Sequence, residues 1–160
     1  MNVPNLIHTS LDHVLLKAIS DFGEGVLVLS LPKIIYTNEA FSKITGYSEK
    51  ELIELNSFFD LVPEDKKKLI SDYLEASASH RQDHPRLETT LIQKNGLSAH
   101  IEITTNTVTE GDKTNVVLVV RNITEQKRMA TALRQSAEFE KLITTLSSHF
   151  INLAPNLIEV

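Results

Sequence analysis

The chain has 160 residues, 41% hydrophobic and 23% charged, the balance of a soluble globular chain with one domain and an appendage. A formal net charge of -5 argues against a nucleic-acid or anionic-membrane surface, because phosphate binding needs concentrated positive charge. The absence of cysteine excludes disulfides, thiolate metal sites, cysteine nucleophiles and cysteinyl chromophore adducts. Residues 1–10 have neither the basic nor the apolar region of a signal peptide, and no run approaches the roughly 18 apolar residues that cross a bilayer. The expected compartment is the cytoplasm.

Along the chain, Leu11, Val14, Leu15, Ala18, Ile19 and Phe22 fall on one face of a helix, with Ser10 as its cap. That face suits either its own domain or a second subunit. Gly23 and Gly25 end this helix; Gly-x-Gly after a helix, without a third glycine, is turn punctuation and not a phosphate loop. Residues 26–29 and 33–37 read as a hairpin turned at Pro32. Next comes the stretch N-E-A-F-S-K-I-T-G-Y-S-E-K-E-L over 38–52. It reads as a helical turn capped by Asn38, a break at Gly46, and a second helix opened by Ser48 with Glu51 three residues on, the capping-box pattern. The two short helices turn Phe41, Ile44, Tyr47 and Leu52 toward a neighbouring layer.

Residues 56–62 read as a loop or loose turn. Pro63, Glu64 and Asp65 open a helix that buries Leu69, Ile70, Tyr73 and Leu74 and ends near Ser79. After a polar connection over 80–85 come three strands. Residues 87–93 put Leu87, Thr89 and Leu91 on one side, and 97–108 put Ile101, Ile103 and Thr105 together. Residues 115–123 are so continuously apolar that burial on both faces is expected. Asn95-Gly96 and Gly111 mark the turns between them. The class is therefore α+β, an antiparallel sheet with helices gathered on one face.

Four segments in this order carry a family resemblance. They are Asn38-x-x-Phe41 with Thr45-Gly46-Tyr47-Ser48, Leu61-Val62-Pro63-Glu64-Asp65, the Lys94-Asn95-Gly96 hairpin, and Arg121-Asn122-Ile123-Thr124 running into Glu125-x-Lys127-Arg128. Over 11–124 the chain resembles PAS sensor domains. The resemblance implies a PAS fold of five antiparallel strands over 23–124, a flanking helix within 1–22 and a signalling helix over 125–160. It also implies that a shift at Asn122, Ile123 and Thr124 tilts or rotates the following helix and so alters a downstream output domain. Asn122 stands where the family commonly has Asp, which removes the charge and nearly keeps the hydrogen-bonding shape.

Beyond this junction, Met129, Ala132, Ser136, Phe139, Ile143, Leu146, Phe150 and Leu153 recur at spacings of three and four. This heptad seam predicts a parallel two-stranded coiled coil and hence a homodimer. The alternative is a single amphipathic helix folded back on the domain. Ala132 and Ser136 are weak seam residues, tolerant of a change of register. The segment from Leu142 onward resembles the opening helix of a GAF domain, so the chain reads as a piece of a longer multidomain sensor.

Between sheet and helices, Val28, Ile35, Phe41, Ile44, Tyr47, Phe58, Leu61, Leu74, Leu91, Ile103, Thr105 and Val117 would line a pocket for a small organic ligand, with Tyr47 and Thr105 as polar handles. The same residues serve equally as an ordinary hydrophobic core. His80 and His84 stand where a haem-binding PAS domain offers an axial ligand, and Asp83 lies beside them. Their segment reads as a solvated loop with no third metal ligand near. His149 departs from a histidine-kinase phosphoacceptor box, since Phe150 and not an acidic residue follows it and Pro155 is six residues on.

No cofactor is required, a cysteinyl-flavin adduct is excluded, and haem and non-covalent flavin are set aside. No nucleophile with its base and no paired carboxylates emerge, so the segment is not read as an enzyme. The expected function is a sensory and dimerisation module within a signalling protein, the parent being a histidine kinase or a cyclic-dinucleotide enzyme. The alternatives are a ligand-free dimerisation spacer and a histidine-kinase fragment.

Overall fold

The computed structural model describes residues 10–79 and 85–153. Its elements are α1 (Ser10–Asp21), β1 (Gly25–Ser30), β2 (Lys33–Thr37), α2 (Glu39–Thr45), α3 (Glu49–Glu54), a 3-10 turn (Phe58–Leu61), α4 (Glu64–Ala78), β3 (Leu87–Ile92), β4 (Ser98–Glu110), β5 (Lys113–Asn122) and α5 (Thr124–Leu153). The five strands form one sheet in the order β2-β1-β5-β4-β3, each neighbouring pair antiparallel. By its contacts the chain divides into Met1–Thr124 and Glu125–Val160.

Local chemistry accounts for the connections. Gly96 takes φ 83° and Asn95 Oδ1 accepts from Leu97 N at 2.9 Å, which closes the β3–β4 turn. Gly111, at φ 58°, allows Glu110 and Lys113 to pair directly across the β4–β5 turn. Asn38 caps α2, Gly46 ends it in the left-handed conformation, and Ser48 with Glu51 forms the reciprocal capping box of α3. A second capping box, Ser57 with Asp60, converts the expected loop into a 3-10 turn that buries Phe58 and Leu61.

The core lies between the sheet and the helices α2, α3 and α4. Leu27 and Leu29 of β1, Ile101 and Ile103 of β4, and Val116, Leu118 and Val120 of β5 meet Phe41, Ile44, Leu52, Phe58, Leu61, Ile70 and Leu74. Each such side chain contributes about 1.5–3 kcal/mol on burial.

Three expectations are corrected. Strand β5 is central but unequal: Val116, Leu118 and Val120 are buried on the helix side, while Val117 and Val119 are only half-buried on the other. Leu69 is 47% exposed, because the face of α4 turned to the sheet is set by Ile70 and Leu74, one position further round. Helix α1 stops at Asp21, and Phe22 is 86% exposed where the chain turns through Gly23 at φ 80°.

Candidate functional site

Of the twelve candidate pocket residues, Phe41, Ile44, Phe58, Leu61, Leu74, Leu91 and Ile103 come together in the core, and Tyr47 packs half-buried against it. Thr105 also faces α4, its hydroxyl 2.6 Å from that of Ser77, while Tyr73 OH donates to the Ile103 carbonyl at 3.3 Å. Three residues do not join them. Val28 and Val117 are cross-strand partners, with Tyr36 opposite Val28, and alternation puts them on the face away from the helices. Ile35 sits at the irregularity between β1 and β2, half-buried and outside the core cluster. Residues that pattern reasoning did not single out are Thr37 and Thr89, buried hydroxyls with no hydrogen-bond partner among the described residues, Thr89 on the same side of β3 as Leu91.

The stretch around Asn38 is tied to the sheet as well as capped. Asn38 Oδ1 accepts from Phe41 N at 3.1 Å and from Val26 N at 2.9 Å, and Asn38 Nδ2 donates to the Glu24 carbonyl at 3.0 Å. One amide therefore fixes α2 on β1. On the opposite flank, the β3–β4 turn is latched to the α2–α3 corner. Gln93 Nε2 donates to the Ile44 carbonyl at 2.7 Å and Lys94 N to the Thr45 carbonyl at 2.9 Å. Lys94 Nζ meets Glu51 Oε1 at 2.6 Å and lies 5.8 Å from the centre of the Tyr47 ring. The Lys94 ammonium, with the Ser48 N–H second, holds the Glu51 carboxyl below the usual carboxylate range.

At the start of α5 the predicted relay residues form a clasp on β4. Ile123 N donates to the His100 carbonyl at 2.9 Å, and Thr124 Oγ1 accepts from His100 N at 2.9 Å and lies 3.4 Å from the same carbonyl. Asn122 Oδ1 accepts from Thr124 N at 3.0 Å, so the amide fills the capping role without a charge. Ile123 is 5% exposed, which anchors the junction in the apolar layer. The neighbouring Arg121 lies 2.7 Å from Glu24 and 3.8 Å from Glu102. The Glu24 carboxylate is the main reason its guanidinium is held still more firmly protonated.

An open groove of about 400 Å³ flanks this junction, lined by Ser20, Asp21, Glu39, Lys43, Ile44 and Asn122 among others. Lys43 and Glu39 pair across 2.8 Å within it, lowering the carboxyl and raising the ammonium. The seam residues Met129, Ala132, Ser136, Phe139, Ile143, Leu146 and Phe150 all lie on α5 and all are exposed.

Among the described residues, His13, His100 and His149 are all exposed, so none of them offers a ligand inside the core. No described group of three or more His, Asp or Glu side chains has the geometry of a metal site. The candidates His80, Asp83 and His84, and the proline after His149, lie outside the described residues.

This architecture is that of a PAS domain, and comparison with known proteins bears it out. Residues 23–125 match the family model described as PAS domain, and the chain belongs to that family. No curated protein matches the chain significantly. Among solved structures it is similar to a sensory box histidine kinase/response regulator from Burkholderia thailandensis, at 21% identity and TM-score 0.60, covering 79% of this chain and 97% of that one. It is also similar to the PAS domain of a protein from Colwellia psychrerythraea, at 18% identity and TM-score 0.63, covering 72% and 99%. A domain of a sensory box sensor histidine kinase/response regulator from Geobacter sulfurreducens matches at 16% identity and TM-score 0.57, covering 76% and 100%. No helix among the described residues is long and apolar enough to cross a membrane.

Proposed function

We propose that this chain is a cytoplasmic sensory module that passes the state of its PAS core through Asn122, Ile123 and Thr124 into α5, and from there to a further domain of the same polypeptide. On this reading α5 also carries the seam of a parallel homodimer, and the segment itself is not catalytic. The observation that carries it is the clasp: both hydrogen-bonding groups of the His100 backbone engage Ile123 and Thr124. His100 belongs to β4, whose Ile101 and Ile103 are core residues. A rearrangement against that strand therefore moves the first turn of α5. A small molecule drives the change only by the difference in its affinity for the two states.

Thr124→Val tests this, because it keeps shape and removes the hydroxyl. Amide exchange in the first two turns of α5 should rise roughly 5–30-fold, the equivalent of one or two lost hydrogen bonds at about 1 kcal/mol each. Thr124→Ser should behave as the wild type. Unchanged exchange in Thr124→Val would sink the relay.

The second reading, a dimerisation spacer without ligand, is favoured by one observation. Phe41, Phe58, Leu61, Leu74, Leu91 and Ile103 are each at most 1% exposed and pack on one another where a ligand would lie. A native mass spectrum separates the two: extra mass on the dimer supports the ligand, and its absence under gentle desolvation supports the spacer.

A further inference from the structure

The β3–β4 turn carries chemistry that the relay does not use. Asn95-Gly96 is the one Asn-Gly pair in the chain. Both residues are exposed, and a Cβ added to Gly96 would meet nothing within 4 Å. An asparagine in this position is open to attack by its own backbone. The nitrogen of the following residue closes onto the side-chain carbonyl carbon in a small, unstrained ring, and glycine puts no side chain in the way. Here that carbonyl is also activated: Asn95 Oδ1 accepts from Leu97 N at 2.9 Å, so a donor already faces the oxygen that would take up negative charge.

The nucleophile is what the fold restrains. Gly96 N–H donates to the Gln93 carbonyl at 2.8 Å, and a nitrogen engaged in that bond does not readily lose its proton to solvent. Gln93 and Lys94 are the residues latched to the α2–α3 corner, through Gln93 Nε2 on the Ile44 carbonyl, Lys94 N on the Thr45 carbonyl and Lys94 Nζ on Glu51. A closed latch keeps the Gly96 N–H in its turn bond, and local opening frees it.

We propose that Asn95 is a self-deamidation site whose rate is set by this latch, and that its isoaspartyl product does not restore the latch. Hydroxide takes the Gly96 N–H proton and the nitrogen bonds to Asn95 Cγ. The Cγ–Nδ2 bond breaks, and Nδ2 leaves as ammonia with a proton from water. Water then opens the cyclic imide. Breaking the new N–Cγ bond gives aspartate on an unchanged backbone, which keeps an acceptor for Leu97 N. Breaking the original bond between Gly96 N and the Asn95 backbone carbonyl carbon leaves the chain running through the side chain, one methylene longer. That insertion falls inside the ring closed by Gln93 N on the Leu97 carbonyl and moves Gly96 off the Gln93 carbonyl. The reaction needs only water, and neither a dimer nor a further domain.

The test follows the whole 160-residue chain by peptide mass spectrometry at mildly alkaline pH, folded and in urea. Asn56-Ser57, exposed at Asn56 and outside the latch, is the internal reference for general loosening. Asn95 should convert in urea, and several-fold more slowly in the folded chain. Gln93→Ala with Glu51→Gln removes two latch contacts and leaves Lys94 and Gly96, the neighbours of Asn95, in place. Folded, this variant should convert at Asn95 roughly 5-fold or more faster than the wild type, the equivalent of at least one lost hydrogen bond. Asn56, scaled to its own rate in urea, should not change. No conversion of Asn95 in urea would overturn the site. Equal rates for the wild type folded and in urea, an unaccelerated variant, or acceleration shared by Asn56 would overturn control by the latch. The isoaspartyl chain, separated by chromatography, should exchange its Lys94 amide roughly 5-fold or more faster than Asn95→Asp does. Equal protection of that amide in the two would overturn the claim that the product leaves the latch open.

Discussion

Asn38 is the side chain on which the position of α2 depends, and its removal has a calculable consequence. In Asn38→Ala the N–H groups of Val26 and Phe41 and the carbonyl of Glu24 lose their partner together. Asn38 is 5% exposed, so water does not readily replace it. At about 1 kcal/mol net for each bond, and more for a donor left buried, the loss comes to about 2–4 kcal/mol. Asn38→Asp makes the reasoning sharper. At an exposed helix start the two residues are nearly equivalent caps. Here Asp keeps both acceptor bonds but sets a carboxylate against the Glu24 carbonyl in place of a donor, so it should still cost about 1–2 kcal/mol. Urea unfolding of the three proteins, compared at equal denaturant dependence, reads both numbers. A loss below about 1 kcal/mol for the alanine variant, or wild-type stability for Asp, would refute the claim that this amide holds helix to sheet.

Other expectations follow from the same geometry. A Cβ at Gly25 would stand 3.0 Å and 3.1 Å from the Phe41 side chain, which is fully buried, so Gly25→Ala should lower stability by about 1–3 kcal/mol in the same assay. The Glu51–Lys94 contact is a folded-state depression of an acid, so its contribution is present above the ordinary glutamate range and lost as pH falls through the lowered value. Carboxyl chemical shifts should put the Glu51 titration below the ordinary glutamate range, and Lys94→Met should raise it toward that range; a normal titration in the wild type would contradict the latch. Burial, with a smaller part from Glu49, raises the Tyr36 phenol, so its ultraviolet titration should fall above that of a free tyrosine near 10.

The two capped helices were legible because caps are local. Asn38, Gly46, Ser48 and Glu51 act within three or four residues, and the pattern alone carries that information. Ser57-x-x-Asp60 carried the same signal but stood in a segment read as loop, since the acid is shorter than the usual glutamate. Faces were harder. Residues 26–29 and 116–120 are apolar on both sides, so alternation could not say that Val28 and Val117 look away from the helices. Leu69 was misplaced for a related reason: it neighbours Ile70, and only the approach of the sheet decides which of two adjacent apolar residues turns inward. The ties from Asn38 to β1, from Gln93 and Lys94 to the α2–α3 corner, and from Thr124 to His100 join residues far apart in sequence. They appear only once the sheet order is known.

The measurement that tests the relay most directly is amide exchange across the first two turns of α5 after a small, distant change in the core. Ile103→Val removes one methylene from β4, three residues from the clasped His100, and should cost about 0.5–1.5 kcal/mol. That loss by itself accelerates only the amides that exchange through global unfolding. The account predicts faster exchange in residues 125–132 as well, abolished when Thr124→Val has already released the clasp. Exchange in 125–132 that stays at the wild-type rate, while β4 itself loosens, would contradict it.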